Sequence, residues 1–217
     1  MIPSITVNLL KLTEMKNLFL LIGLLASSSF SMPVKDVITD TERKFAVKEF
    51  QRTKQRFLDD VKGLSAQQLN FKADTSRWSI AQCIEHIALA ENLIWQWEQA
   101  TVSQPATPEK AVDVKVTDEQ LMKGVTDRSH TFKAPEMLQP VGKFASSDAA
   151  IKAYTSRRDS TINYISTTKD DLKNHFAPHP AFGTINTYQL LLMLSGHSER
   201  HTLQIEEVKA NPAFPKQ

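Results

Sequence analysis

Cysteine is nearly missing from this chain of 217 residues, and glycine is scarce. The single cysteine, Cys83, has no partner for an internal disulfide, so stability must come from a packed core. Only 6 glycines are present, and no segment shows the strict apolar–polar alternation of a half-buried strand. These absences exclude a disulfide-stapled scaffold and argue against a fold based on sheets.

The chain also lacks a cluster of basic residues and an apolar run long enough to cross a bilayer. The formal net charge is only +2, and nothing predicts nucleic-acid binding through phosphate neutralisation. The apolar run at residues 18–25 falls short of the ~20 residues that a membrane-spanning helix needs. The composition, with 41% hydrophobic and 23% charged residues, is typical of a globular domain.

The first 31 residues differ from the remainder of the chain. Lys11 and Lys16 precede the apolar run, and mostly small residues follow it up to Ser31. A basic segment, a short apolar core and a small-residue cleavage site are typical of a secretory signal peptide, and these flanks disfavour the alternative of a buried N-terminal helix. We therefore predict a signal peptide over residues 1–31 and a mature domain over residues 32–217 that is periplasmic or secreted. No stable membrane anchor is expected after cleavage.

Four segments carry the periodicity of amphipathic helices, with apolar side chains at intervals of three, four and seven residues. They cover approximately residues 39–62, 79–100, 148–168 and 187–210. Each helix must bury one apolar stripe, so the sequence predicts an all-α four-helix bundle.

The connection between the second and third predicted helices is unusually long. It contains four prolines, and a Thr117–Gln120 capping pattern predicts one short helix over residues 118–123. Apolar residues are too few to predict a core element here, so we expect the segment to arch over one end of the bundle. Its length permits a crossover, in which the chain returns along the bundle between these two helices. Residues 174–186, with two prolines and a glycine, are predicted to form a loop.

Three histidines fall on predicted buried helix faces. On a helical wheel centred on Leu190, His197 and His201 lie about 20° to either side of the middle of the apolar stripe. On the second helix, His86 lies at the inward edge of the stripe that contains Cys83. A buried polar group without a partner costs ~1–3 kcal/mol, so these imidazoles need partners.

Two histidines at positions i and i+4 suit one metal ion, and a third from a neighbouring helix would complete a site for one divalent ion. Three imidazoles with an open position are typical of a catalytic rather than a structural zinc-type site. On periodicity alone, the alternative in which each histidine is an ordinary core residue stays open. His175 and His179, just before the fourth helix, are candidates for the mouth of the site or for a surface loop, and Glu85 and Glu199 are expected on the surface.

Two stretches of the sequence resemble the DinB-like superfamily. Residues 78–87, Trp-Ser-Ile-Ala-Gln-Cys-Ile-Glu-His-Ile, are similar to its second helix, and residues 197–205, a His-x3-His followed by Gln-Ile, are similar to its last helix. The resemblance extends over residues 45–212. It implies a four-helix bundle with a long crossover, often dimeric, so a homodimer is an expectation. It also implies a metal centre formed by the same three histidines.

The resemblance implies a function as well. The superfamily includes proteins described as metal-dependent hydrolases, thiol transferases that use bacillithiol, and mycothiol-dependent isomerases. We expect an exported metal-dependent hydrolase that acts on a small molecule, because export separates the protein from cytosolic thiols. The alternatives are a small-thiol S-transferase and a non-catalytic metal- or ligand-binding protein. Nitrogen ligands favour zinc or nickel, with manganese or iron as further candidates, and no catalytic base is assigned.

The predicted signal peptide can be tested directly. N-terminal sequencing of the exported protein should give a mature chain that begins near Met32, because the cleavage motif ends at Ser31. A secreted product that still contains Leu18 would contradict this prediction.

Overall fold

The computed structural model describes residues 38–72 and 74–216. The predicted signal peptide lies outside the described residues. Within them, the four predicted long helices are confirmed, and their ends differ from the predicted ends by at most two residues. They are α1 (Asp40–Val61), α3 (Ile80–Val102), α5 (Ser147–Thr167) and α6 (Thr187–Lys209). None of the helices in this part of the chain combines the length and hydropathy needed to cross a membrane.

Short elements connect the four long helices. They are α2 (Ala66–Asn70), α4 (Asp118–Thr126), β1 (Phe176–His179), β2 (Gly183–Asn186) and two 3-10 helices (Pro108–Asp113 and Glu136–Leu138). The predicted capping box at Thr117 is present, and Ser79 forms another; each satisfies free N–H groups at a helix start.

Hydrogen bonds at both ends show that α1 and α6 run parallel. At their first turns, the Tyr188 hydroxyl donates to the Glu42 carbonyl over 3.0 Å. At their last turns, the Lys209 ammonium lies 2.9 Å from a carboxylate oxygen of Asp60. In the bundle, α6 packs against α1 and α3, and α5 packs against the same two helices.

The helices α3 and α5 also run parallel, because their first turns lie side by side. Ser79 at the start of α3 and Ser147 at the start of α5 line one cavity of about 390 Å³. Two consecutive parallel long helices require the chain to return along the bundle between them, so the expected crossover is confirmed.

The crossover packs along α6, whereas the sequence predicted only that it would arch over one end of the bundle. Its helix α4 buries Leu121 and Val125, so the interpretation that this region holds no core element was wrong. The helices α4 and α6 approach each other closely because Gly196 on α6 has no side chain. A Cβ at this position would lie 3.0 Å from Val125 Cγ1. Two apolar residues one turn apart are enough for a core helix when the facing residue is glycine.

Residues 176–186 form a small β-hairpin where the sequence analysis predicted only a loop. The strands β1 and β2 pair antiparallel, with Phe176 opposite Asn186 and His179 opposite Gly183. Each strand has only 4 residues, too few to show a recognisable alternation. The hairpin buries Ala177 and Ile185 and leads directly into α6.

A layer of buried polar residues crosses the middle of the bundle. Arg158 on α5 donates to Glu91 on α3 over 2.7 Å and to the Thr53 hydroxyl on α1 over 3.2 Å. The Thr53 hydroxyl also lies 3.1 Å from that of Ser195 on α6. Burial raises the pKa of Glu91 to about 7, and the Arg158 charge opposes that rise. This layer therefore joins all four long helices.

The two apolar clusters of the core lie on either side of this polar layer along each helix. On α1, for example, Thr53 lies between Phe50 of one cluster and Phe57 of the other. On α3, Glu91 lies between Ile87 and Ile94 in the same way.

The substitution Arg158→Met should lower the free energy of unfolding by about 3–5 kcal/mol, because it leaves the Glu91 carboxylate buried without its charge partner. The double variant Glu91→Leu, Arg158→Met should recover most of this loss. Urea denaturation at pH 8 measures both effects.

The matched control is Lys54→Met. It removes the partner of Asp159, whose side chain is 56% exposed, from an ion pair at the surface. It should cost only about 0–1 kcal/mol. A loss for Arg158→Met no larger than that of the control would contradict a stabilising role for the buried pair.

Candidate metal centre

The structure brings the three predicted histidines together. One nitrogen each from His86 on α3 and from His197 and His201 on α6 lie within 4.8 Å of one another. The Nε2 atoms of His86 and His197 are 3.2 Å apart. Two nitrogens that each lie ~2.0–2.1 Å from one tetrahedral ion are about 3.4 Å apart, so the observed spacing fits a shared ion.

A backbone carbonyl of the crossover sets the tautomer of His86. The Nδ1–H of His86 donates to the carbonyl oxygen of Leu138 over 2.8 Å. The proton is therefore on Nδ1, and the lone pair on Nε2 faces the other two imidazoles. Histidines that bind metals are oriented by hydrogen bonds of this kind at their second nitrogen.

A side-chain amide orients His201 in the same way. The Nδ1–H of His201 donates to Oε1 of Gln204, one turn further along α6, over 2.9 Å. This also leaves the lone pair on Nε2. Sequence reasoning assigned no role to Gln204, although its spacing of three residues from His201 was a usable signal.

The surroundings of the three imidazoles favour their neutral form. His86 is 2% exposed and His201 is 8% exposed. Burial lowers the pKa of His197 and of His201 well below the usual range, and neighbouring imidazoles lower it further. Burial also lowers the pKa of His86, against the opposing effect of its hydrogen bond to Leu138. Neutral imidazole is the form that binds a metal ion.

Trp78 forms one wall of the site. Its ring centroid lies 4.7 Å from that of His86 and 5.9 Å from that of His201. The sequence alone did not indicate a role for Trp78 at the site, since an aromatic residue just before a helix is usually a packing residue.

Arg200, which precedes His201 on α6, binds the crossover through hydrogen bonds. Its guanidinium donates to the carbonyl oxygens of Val125, Asp127 and His130. These contacts hold the end of α4 and the residues that follow it against α6.

Several residues considered from the sequence lie away from the site. His175 is buried beside the first turn of α6, where its carbonyl accepts from Thr187 N–H. His197 is ten residues beyond Thr187, or about 15 Å along the helix axis, so His175 does not line the mouth of the site. His179 stacks between Trp97 and Phe182 at the hairpin.

The two glutamates next to the histidines in sequence are held by other partners. Glu199 is buried and pairs with Arg52 and Arg56 of α1, so its predicted surface position was wrong. Glu85 accepts from the backbone N–H groups of Gly142 and Lys143. Within residues 38–72 and 74–216, no carboxylate or thiol joins the three imidazoles, and the candidate donor set consists of nitrogen alone.

The sequence profile of the DinB superfamily matches residues 49–205, which is more than half of the chain and includes all three histidines. The chain belongs to the DinB superfamily. Membership confirms the family that the two histidine-bearing stretches indicated.

Two proteins of Bacillus subtilis are similar to this chain. The chain is 26% identical over 153 residues to the uncharacterized protein YuaE of strain 168, an alignment that covers 70% of this chain and 89% of that protein. The solved structure of YfiT, described as a probable metal-dependent hydrolase with an unusual four-helix bundle topology, matches with a TM-score of 0.54. It covers 82% of this chain and 91% of YfiT at 13% identity, so this likeness shows the fold alone.

The lowered pKa values predict how the metal-free protein responds to acid. As the pH falls through ~6.5, histidines of the unfolded chain gain protons, whereas the buried imidazoles do not. The free energy of unfolding should therefore decrease as the pH falls below about 7, because the unfolded chain then binds more protons than the folded protein. Urea denaturation in the presence of a chelator measures it, and His201→Leu should flatten the profile.

The pKa values of Glu91 and Glu98 are raised to about 7, so protonation of these two carboxylates increases the free energy of unfolding as the pH falls. A control substitution is therefore needed to isolate the effect of the histidines. The exposed His130 provides it: His130→Leu should keep the wild-type slope. Equal flattening by both substitutions would contradict the assignment of the slope to the buried imidazoles.

Proposed function

We propose that this member of the DinB superfamily is an exported metal-dependent hydrolase, in which His86, His197 and His201 hold one divalent ion. The observation that carries the proposal is the convergence of three imidazole nitrogens within 4.8 Å. The description of YfiT as a probable metal-dependent hydrolase supports the reaction class.

A divalent ion held by three imidazoles supplies Lewis-acid activation of water and of a substrate oxygen. The residues of the chain provide the binding site and its orientation. Leu138 and Gln204 hold His86 and His201 with their Nε2 lone pairs directed inward. The Trp78 ring covers one side of these two imidazoles.

The donor set supports a choice of metal. Imidazole nitrogen suits zinc and nickel, whereas magnesium and calcium prefer oxygen ligands. We propose zinc or nickel as the resident ion, with manganese and iron as the next candidates.

Metal content tests the ligand assignment. After dialysis against metal-free buffer, wild-type protein should retain about one ion per chain, because three ligands hold it. The variants His86→Ala, His197→Ala and His201→Ala should each lose most of it, and His130→Ala should not. Elemental analysis measures the ratio. Full retention by His201→Ala together with loss in His130→Ala would show that the site is wrongly assigned.

Turnover tests the reaction class. A panel of simple esters and amides, assayed with and without the ion, should show hydrolysis that depends on the metal and is lost in His201→Ala. Metal-dependent consumption of a small thiol with an electrophile, without hydrolysis, would favour the S-transferase alternative. A bound ion without either activity would favour a binding protein. Hydrolysis that survives both chelation and His201→Ala would place the activity elsewhere.

A further inference from the structure

We propose that Gln204 is a positioning residue of the metal centre. It determines which nitrogen of His201 carries the proton, and it is itself held by Arg128, which pairs with Glu207. This inference rests on the proposed three-histidine site, and it assigns a role to residues outside the ligand set.

The first step is the contact itself. Gln204 follows His201 by three residues, so both side chains lie on one face of α6. Oε1 of Gln204 lies 2.9 Å from Nδ1 of His201. His201 is 8% exposed, so water has little access to replace this partner.

The second step fixes the direction of the hydrogen bond. Nη1 of Arg128 lies 3.4 Å from the same Oε1 atom of Gln204. A guanidinium only donates, so the atom of Gln204 that faces both Arg128 and His201 must be the oxygen. An amide oxygen only accepts, so Nδ1 of His201 must carry the proton. The lone pair of His201 is then on Nε2.

The third step is the support of Gln204. Arg128 forms a two-point ion pair with Glu207, with Nε–Oε1 and Nη2–Oε2 distances of 3.0 and 2.8 Å. This fork geometry fixes the plane of the guanidinium. Arg128 belongs to the crossover and its side chain is only 18% exposed, so the crossover holds Gln204 against His201.

The fourth step is the consequence of removing the amide. Without an acceptor at Nδ1, His201 can place its proton on Nε2, and an Nε2–H cannot bind a metal ion. The ring also loses the contact that fixes its rotation. Loss of such an outer hydrogen bond typically weakens metal binding 10–100-fold.

Three substitutions test the inference with zinc as the probe. In competition with a chromophoric chelator, Gln204→Leu should weaken zinc binding about 10–100-fold. Gln204→Glu should keep wild-type affinity or exceed it, because a carboxylate still accepts from His201 and pairs with Arg128. The matched control is Gln55→Leu, since Gln55 is an exposed residue of α1 whose side chain donates a hydrogen bond to Asp59, on the same helix. It should leave zinc affinity unchanged.

A second measurement separates positioning from a general effect on folding. Long-range ¹H–¹⁵N NMR spectra of the metal-free protein should show the Nδ1–H tautomer for His201 in the wild type and in Gln204→Glu. Gln204→Leu should show a mixture with the Nε2–H tautomer. Wild-type zinc affinity in Gln204→Leu would overturn the inference, and so would an Nε2–H tautomer in the wild-type protein. Neither zinc affinity nor the tautomer of His201 depends on turnover. A protein that binds zinc but does not hydrolyse esters or amides would therefore contradict the hydrolase proposal and leave this inference intact.

Discussion

The ion pair between Glu91 and Arg158 lies where all four long helices meet, and both side chains are almost completely buried. An unpaired charge at this depth would cost several kcal/mol, so α3 and α5 are stable only in the register that joins these two groups. The first turns of the two helices also lie side by side, so the helices run parallel. A parallel pair of consecutive long helices cannot be joined by a short loop, because the chain must travel back along the bundle. The long crossover follows from this arrangement.

The crossover in turn completes the candidate metal centre. It packs on α6 at Gly196, and Arg200 donates hydrogen bonds to its backbone carbonyls. Further along, its Leu138 carbonyl accepts a hydrogen bond from His86. Two separate points of the crossover therefore orient two imidazoles: the carbonyl of Leu138 acts on His86 directly, and Arg128 acts on His201 through Gln204. A segment that looks like a long, proline-containing loop in the sequence supplies the outer hydrogen bonds of the site. The topology of the bundle and the geometry of the site thus depend on the same connection.

The sequence predicted the parts of this arrangement that depend on periodicity. The four helices and the inward direction of His86, His197 and His201 follow from the 3.6-residue repeat, because burial repeats with the helix turn. Leu138 could not be predicted, since every residue has a carbonyl and only the folded path selects one. Glu199 was misplaced because Arg52 and Arg56 of α1, distant in sequence, make its burial favourable. The hairpin was missed because strands of four residues carry too little pattern.

The facing nitrogens of His86 and His197 also explain how the site can form without a metal ion. Two lone pairs 3.2 Å apart repel, so one of these Nε2 atoms must carry a proton and donate it to the other. The proton of neutral His86 is on Nδ1, where Leu138 accepts it, so the donor in the metal-free protein is Nε2–H of His197. His86 and His201 therefore already have the tautomer that a shared metal ion would require, whereas His197 would have to move its proton to Nδ1. Since the imidazole stays neutral in this change, binding of an ion would alter the tautomer of one imidazole without adding charge to the buried protein side chains.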